Sequence, residues 1–321
     1  MQGKYYIHHC HSLCLSLTIF LLILTLGSIP NVYFDMLKLI ECPRDAMQGI
    51  HGFIPTELKA RYINALLRVG YHTLDFGSFV SPKAIPQMKD TADVLSRLDL
   101  DGVDTKLLAI VANERGARDA CAYDQIKVLG YPFSISETFQ IKNTNATIKE
   151  SVKRVESIKT LADKSNKEIV IYVSMGFGNP YGDPWNVEIC QQWVDILADM
   201  GIKTIALSDT IGVATKESIE YLFKNLIPPY PDVEFGAHLH THAHNWLEKI
   251  ETAYLNNCLR FDSTIKGYGG CPMAHDDLVG NMPTENLISY FTNRDDQLNL
   301  NMDAFYEAMA ISKVVFNEED N

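Results

Sequence analysis

The stretch Gly236 to Trp246, GAHLHTHAHNW, places a histidine at every second position: His238, His240, His242 and His244. On a β-strand, side chains two residues apart share a face, so His238 and His240 can aim two imidazoles at one point. The preceding VEFGA reads as a short buried strand. The following NWLEKIETAYL has helical spacing of apolar residues at Trp246, Leu247, Ile250 and Leu255. The histidines thus sit where a strand gives way to a loop and then a helix. His242 and His244 fall past the strand and are expected to be solvated. By itself the stretch fits a metal-binding pair and a solvated His-rich turn equally well.

Other residues able to do chemistry recur at the ends of short apolar runs. ECPRDAMQ supplies Arg44, Asp45 and Gln48. HTLDFG and the SFVSPK after it supply Asp75 and Ser78, and KTIALSD supplies Ser208 and Asp209. KGYGGCPMAHDDLVGN supplies Lys266, Cys271 and Asn281. Charged groups are costly to bury without partners, so their repetition at the same end of successive runs points to a shared site. Two histidines with a carboxylate and a carboxamide make an N/O ligand set with open positions. Such a set suits octahedral Mg²⁺ or Mn²⁺, or else Co²⁺ or Zn²⁺. It contains no thiolate, which argues against structural zinc. Plainer roles compete at every position. Asp45 suits a turn cap, Arg44 a carboxylate partner, Asp209 an N-cap or Asx-turn, Cys271 a small loop residue and Asn281 a turn. Asp75 and Lys266 suit a salt bridge.

The elements that must position these residues alternate along the chain. Eight β-branched or aliphatic runs fall at 37–42, 72–77, 106–112, 128–135, 168–175, 203–209, 233–240 and 260–267. Amphipathic stretches lie between them. Thr56 and Glu57 read as cap signals for a helix over 56–69. Further helices are expected over 146–165 after Asn145, over 185–200 after Pro184, and near 215–226 with a capping-box-like opening. Eight strand–helix units predict an α/β fold, a (β/α)₈ TIM barrel. An open doubly wound sheet is the competing arrangement, but no G-x-G-x-x-G follows the first strand. A barrel carries its site at the C-terminal strand ends, where the polar residues fall. Without an internal linker, residues 36–321 are expected to form one catalytic barrel closed by a C-terminal helix, MDAFYEAMAISKVVF.

Composition narrows the functional class. The chain has 321 residues, 46% hydrophobic and 21% charged, with a formal charge of −12. So acidic a protein lacks the basic face that general nucleic-acid binding needs. Its seven cysteines are scattered without a C-x-x-C pair, which fits a reducing compartment better than a disulfide framework. From Tyr5 to Phe34 there is no Asp, Glu, Lys or Arg. Residues 1–35 therefore read as a signal peptide, a membrane anchor, or a mis-assigned start before Met36. The last reading is the expectation adopted, giving a cytoplasmic enzyme. Membrane association is expected only if residues 1–35 exist and are retained.

Taken together, ECPRDAMQ, SFVSPKAIPQM, LSDTIGVAT, GAHLH and GYGGCPMA…GNMPTENL resemble the 3-hydroxy-3-methylglutaryl-CoA lyase family. That family belongs to a superfamily of metal-dependent lyases and Claisen-type condensing enzymes on TIM barrels. The resemblance runs from about Leu37 to Tyr290 and implies carbon–carbon lyase activity of the leucine-catabolic kind, with an acyl-CoA substrate. It implies that Asp45, His238, His240 and Asn281 hold a divalent cation, Mg²⁺ or Mn²⁺. It further implies that Arg44 stabilises an enolate, Cys271 transfers a proton and Asp209 supports the site. Asp45 and His238 are candidate proton acceptors, and Gln48, Asp75 and Ser78 join Arg44 as expected substrate-binding residues. A related condensing enzyme and an inert binding barrel are the competing functions, and a homodimer is left open. Two departures stand out. The superfamily usually has Glu at Asp75, so the shorter carboxylate is expected to rearrange a contact or need a bridging water. The segment Cys271–Asn281 also looks one residue longer.

Overall fold

Each aliphatic run becomes a strand because its alternate side chains find apolar cover on both faces. The computed structural model of the chain describes residues 37–270, 279–294, 296 and 298–317. The strands are β1 (Lys38–Glu41), β2 (Thr73–Ser78), β3 (Lys106–Ile110), β4 (Ile126–Ser134), β5 (Glu168–Ser174), β6 (Thr204–Asp209), β7 (Glu234–Thr241) and β8 (Arg260–Ser263). They pair in parallel in chain order, β1 also pairs with β8, and the ring is therefore closed. This is the expected (β/α)₈ barrel.

The alternation of burial separates two cores. Leu108, Ile110, Val128, Val170, Tyr172 and Ala206 form a cluster inside the barrel. Their neighbours one residue along, such as Leu107, Ala109, Leu129, Ile171 and Leu207, join the larger core between strands and helices. The helix Met302–Val315 packs on Thr56–Leu67. Among the described residues no helix is long and apolar enough to cross a membrane.

Several local expectations are corrected. Thr56 does not cap its helix: Pro55 occupies the N-cap without a side-chain bond, and the Thr56 hydroxyl donates to Asp90 at 2.8 Å. Asn145 is not the start of the next helix. It ends an unanticipated one, Glu137–Thr144, in the left-handed conformation at φ 51°. The following helix, Ile148–Lys164, begins at Thr147 with a capping box to Glu150. The capping box at Thr215 is present, with Ser218 as its partner. The eighth run stops at Ser263 because Lys266 turns to φ 56° within a short 3₁₀ segment, Ile265–Gly267. A two-residue strand, β9 (Gly280–Asn281), then pairs antiparallel with β7 and sets Asn281 opposite His240.

Glu41, at the end of β1, ties this seam together. It is fully buried, and its carboxyl accepts the Ile265 amide at 2.8 Å and meets the Thr284 hydroxyl at 2.5 Å. The Thr284 hydroxyl also reaches Ser263 Oγ at 2.9 Å. Burial pushes the Glu41 carboxyl up to about 8 from an ordinary 4.5, against the pull of Thr284 and Ile265. The folded protein therefore keeps a proton that the unfolded chain gives up. This contribution to stability is fully present below about 4.5 and is lost as pH rises through about 8. Glu41→Gln is expected to flatten that decline. Thermal unfolding midpoints measured across this range for both proteins check it, and identical slopes would contradict it.

Candidate active site

The C-terminal strand ends converge on a cavity of about 620 Å³. Its lining mixes polar residues, among them Arg44, Asp45, Gln48, His238 and His240, with apolar ones, among them Ile85, Ile110, Pro132 and Phe139. Such a mixture suits a small polar reacting group carried on a longer, partly apolar chain. Lys142 also lines the cavity, its Nζ 4.2 Å from the Tyr181 ring centroid.

Arg44 and Asp45 stand on a short helix, Pro43–Gln48, that begins as β1 ends, with proline at its first position. The Arg44 Nε donates to both Asp75 oxygens at 3.2 and 3.0 Å, and its Nη2 also reaches Asp75. Its Nη1 donates to Asp45 Oδ1 and Gln48 Oε1, both at 2.9 Å, and Gln48 Nε2 donates to Asp45 Oδ1 at 2.8 Å. Thus the short Asp75 side chain reaches the guanidinium directly, with no water between. Asp75 pairs with Arg44 rather than with Lys266. Burial pushes the Asp75 carboxyl up to about 6, with Arg44 pulling against it. Burial disfavours the Arg44 charge, but Asp75 and Asp45 more than compensate. Arg44 is therefore a fixed cation at the cavity wall.

Asp45, His238 and His240 each bring a ligand atom to within 4.8 Å of the others. Asn281 Nδ2 donates to Asp45 Oδ2 at 2.8 Å and to the Tyr268 carbonyl at 3.0 Å, so its amide oxygen is the atom suited to a cation. His240 Nδ1 is buried without a hydrogen-bond partner among the described residues. Burial and the neighbouring His238 pull the His240 imidazole down to about 3, which keeps it neutral as a ligand must be. Burial also raises Asp45, but Arg44 and the two histidines outweigh this and hold it below the usual carboxylate range. Nitrogen and oxygen donors, an orphaned imidazole nitrogen and an ionised carboxylate fit a divalent cation. His242 and His244 are exposed and stack on each other, with ring centroids 5.4 Å apart.

The structure places other expected site residues differently. Asp209 is not on the cavity wall. Its carboxylate takes Lys249 Nζ at 2.6 Å and the Ala214 amide at 3.0 Å. Lys249, itself buried, also donates to the carbonyls of His240 at 2.8 Å and Gly212 at 3.1 Å. Asp209 thus acts on the site only through Lys249, which clasps the end of β7. Ser78 is buried at the end of β2, its amide bonded to Thr91 Oγ1 at 3.1 Å and its hydroxyl to the Ile110 carbonyl at 3.3 Å. It does not line the cavity, and neither does Asp75. Cys271 and the extra length after it lie outside the described residues.

Two residues went unnoticed in the sequence. Lys249 sits on the inner face of its helix beside Ile250 and Ala253, where a lysine is out of place. Asp262 sits inside an apolar run, its Oδ2 3.2 Å from His238 Nδ1. Burial lowers the His238 imidazole, but Asp262 and Asp45 more than offset this and the net shift is upward. A charged residue at an inward position was the available signal for both.

Comparison with known proteins supplies the context. A family profile described as HMGL-like matches residues 38–315. Hydroxymethylglutaryl-CoA lyase of Bacillus subtilis is 31% identical over 266 residues, covering 83% of this chain and 88% of the relative. The cytoplasmic 3-hydroxy-3-methylglutaryl-CoA lyase of Rattus norvegicus is 33% identical over 258 residues, covering 79% and 74%. Among solved structures, the HMG-CoA lyase of Bacillus subtilis superposes with a TM-score of 0.82 at 29% identity, covering 88% of this chain and 94% of the other. An HMG-CoA lyase from Acinetobacter baumannii, in complex with coenzyme A and 3-methylmalate, gives a TM-score of 0.82 at 25% identity, covering 89% and 93%.

Proposed function

The chain belongs to the HMGL-like family, and from that membership we infer that it cleaves 3-hydroxy-3-methylglutaryl-CoA to acetoacetate and acetyl-CoA. The observation that carries this reading is the meeting of Asp45, His238 and His240 beside the fixed charge of Arg44, in the lining of one cavity.

The reaction breaks the bond between C2 and C3. The hydroxyl proton leaves, the hydroxyl carbon becomes a ketone, and the bonding pair passes to the acetyl-CoA enolate. Asp45, His238, His240 and Asn281 would hold a divalent cation, Mg²⁺ or Mn²⁺, which when bound would supply Lewis acidity and orient the substrate. Asp45 accepts the hydroxyl proton, because a His238 that gives Nδ1 to Asp262 and Nε2 to the cation has no lone pair left for it. Arg44, locked by Asp75, Asp45 and Gln48, presents a pre-oriented positive charge to the enolate oxygen. Cys271 delivers the proton that turns the enolate into acetyl-CoA. A thiol near the reference value of roughly 8.5 is mostly protonated at neutral pH and able to donate. The apolar lining residues, among them Ile85, Ile110, Pro132 and Phe139, receive the less polar part of the thioester. The activity belongs where CoA thioesters are made. The relatives include lyases named as cytoplasmic and as mitochondrial.

A product assay tests the proposal. The protein supplied with Mg²⁺ or Mn²⁺ is expected to release acetoacetate and acetyl-CoA in equal amounts from 3-hydroxy-3-methylglutaryl-CoA. Turnover of a different hydroxyacyl-CoA only, or condensation of acetyl-CoA with a 2-oxo acid, would assign another reaction to the barrel. An absence of both products with every such substrate would leave a binding protein.

A further inference from the structure

Beneath His238, on the side away from the cavity floor, β8 contributes two charged residues to the barrel interior. Asp262 and Arg260 are each 2% exposed and two positions apart, hence on the same face of the strand. Neighbouring opposite charges in such a place are expected to bond to each other. They do not: Arg260 Nε and Nη2 have no hydrogen-bond partner among the described residues, and neither does Asp262 Oδ1. Among the described residues the one ion pair of Arg260 is a long contact to Glu234, 3.7 Å from Nη1. The other Asp262 oxygen goes to His238 Nδ1 at 3.2 Å. A buried carboxylate that leaves a guanidinium unbonded and reaches an imidazole is poorly explained as a structural counter-ion.

We propose that Asp262 is a positioning residue, holding the His238 ring with Nδ1–H turned into the barrel and Nε2 turned to the cation site. This rests on reading Asp45, His238 and His240 as that site. With Nδ1 committed to Asp262, Nε2 is the ring nitrogen left for the ion. A carboxylate behind a ligating imidazole fixes its tautomer and orientation and makes it a stronger base toward the metal. The edge of the Tyr172 ring, 5.7 Å from His238 between centroids, borders the imidazole but offers no hydrogen bond to set its rotation. His240 has no such partner on its own Nδ1 among the described residues. The two imidazoles are thus held by different means, and His238 is the one whose orientation depends on a carboxylate.

The experiment is a titration of the metal-free, full-length protein with Mn²⁺, followed by the electron paramagnetic resonance of the free ion. Asp262→Ala is expected to weaken Mn²⁺ binding by about 10–100-fold, the usual cost of losing such a partner. Asp262→Asn is expected to fall between wild type and Asp262→Ala, because its amide oxygen still accepts from Nδ1–H. Should the alanine variant fail to fold, the asparagine variant decides alone. The nitrogen chemical shifts of ¹⁵N-labelled histidine, recorded where the imidazole is neutral, are expected to report Nδ1–H at His238 in wild type and a tautomer mixture in Asp262→Ala. A merely structural role would not move that signature. Cys42 Sγ also lies within 4.8 Å of His238 and Asp262 ligand atoms, so Cys42→Ala is the control and is expected to leave affinity unchanged. An equal loss in Cys42→Ala would make Asp262 a ligand of a different site and overturn the proposal. Mn²⁺ affinities of both Asp262 variants matching a wild type that binds would overturn it while leaving the lyase reading intact. A wild type that binds no Mn²⁺ would overturn both.

Discussion

His240→Ala is expected to abolish divalent-metal dependence and to reduce turnover to background, while His244→Ala leaves both nearly unchanged. The two residues are four apart in a run of alternating histidines, and only position relative to the end of β7 separates them. His240 is the last histidine of the strand, is buried, and lies opposite Asn281 in the β7–β9 pairing. Its Nδ1 has no partner among the described residues, and its ligand atom lies within 4.8 Å of those of Asp45 and His238. Removing it takes away one of three convergent donors and leaves Asp45 facing a hole. Removing one electrostatic contact in a preorganised site typically costs about 10²–10³ in turnover, and loss of a metal ligand should exceed this. His244 is exposed and stacked on His242, so its loss removes only a surface contact. Activity against metal concentration for the two variants checks the contrast. Equal losses would remove His240 from the ligand set.

Cys271→Ala is expected to lower turnover by about 10²–10⁴-fold, the usual contribution of a general acid, with Mn²⁺ affinity nearly unchanged. The described part of the loop shows why chemistry is expected there. Gly267 and Gly269 have φ of 66° and 89°, and a Cβ on Gly269 would lie 2.9 Å from Asn281 Nδ2 and 3.0 Å from the Asp45 carbonyl. Only a residue without a side chain lets the backbone pass so close to two metal-site residues. The chain that leads to Cys271 therefore runs along the edge of the site. A thiol-directed reagent is expected to inactivate the enzyme, and substrate to slow that inactivation. Cys190 and Cys258 are buried free thiols in the packing of the barrel, and their replacement by alanine is expected to spare activity. Near-normal turnover in Cys271→Ala would reduce this cysteine to a small residue beside Pro272.

Much of this protein is determined locally. Strand runs such as EIVIYVS and KTIALSD are β-branched or aliphatic at consecutive positions, which only a strand covered on both faces can bury. Their regular spacing with amphipathic stretches admits few topologies, so the barrel, and the end at which chemistry is expected, followed from sequence. Arg44, Asp45, Gln48, His238, His240 and Asn281 could be picked out as candidates because each terminates or follows an apolar run, while their roles came only from the family resemblance.

What the sequence could not determine is where a side chain turns after its backbone is placed. Asp75 and Ser78 are on the right strand, but their contacts with Arg44, Thr91 and Ile110 keep them off the cavity. Asp209 closes β6 as expected, yet Lys249, forty residues later, takes its charge and turns it to holding the His240 carbonyl. Asp262 finds its purpose only when β8 lies beside β7 and brings its carboxylate to His238. These partnerships join residues distant in the chain, and no local propensity encodes them. They exist because charges taken out of water must find partners wherever the closed barrel presents them, and closure is a property of the whole chain.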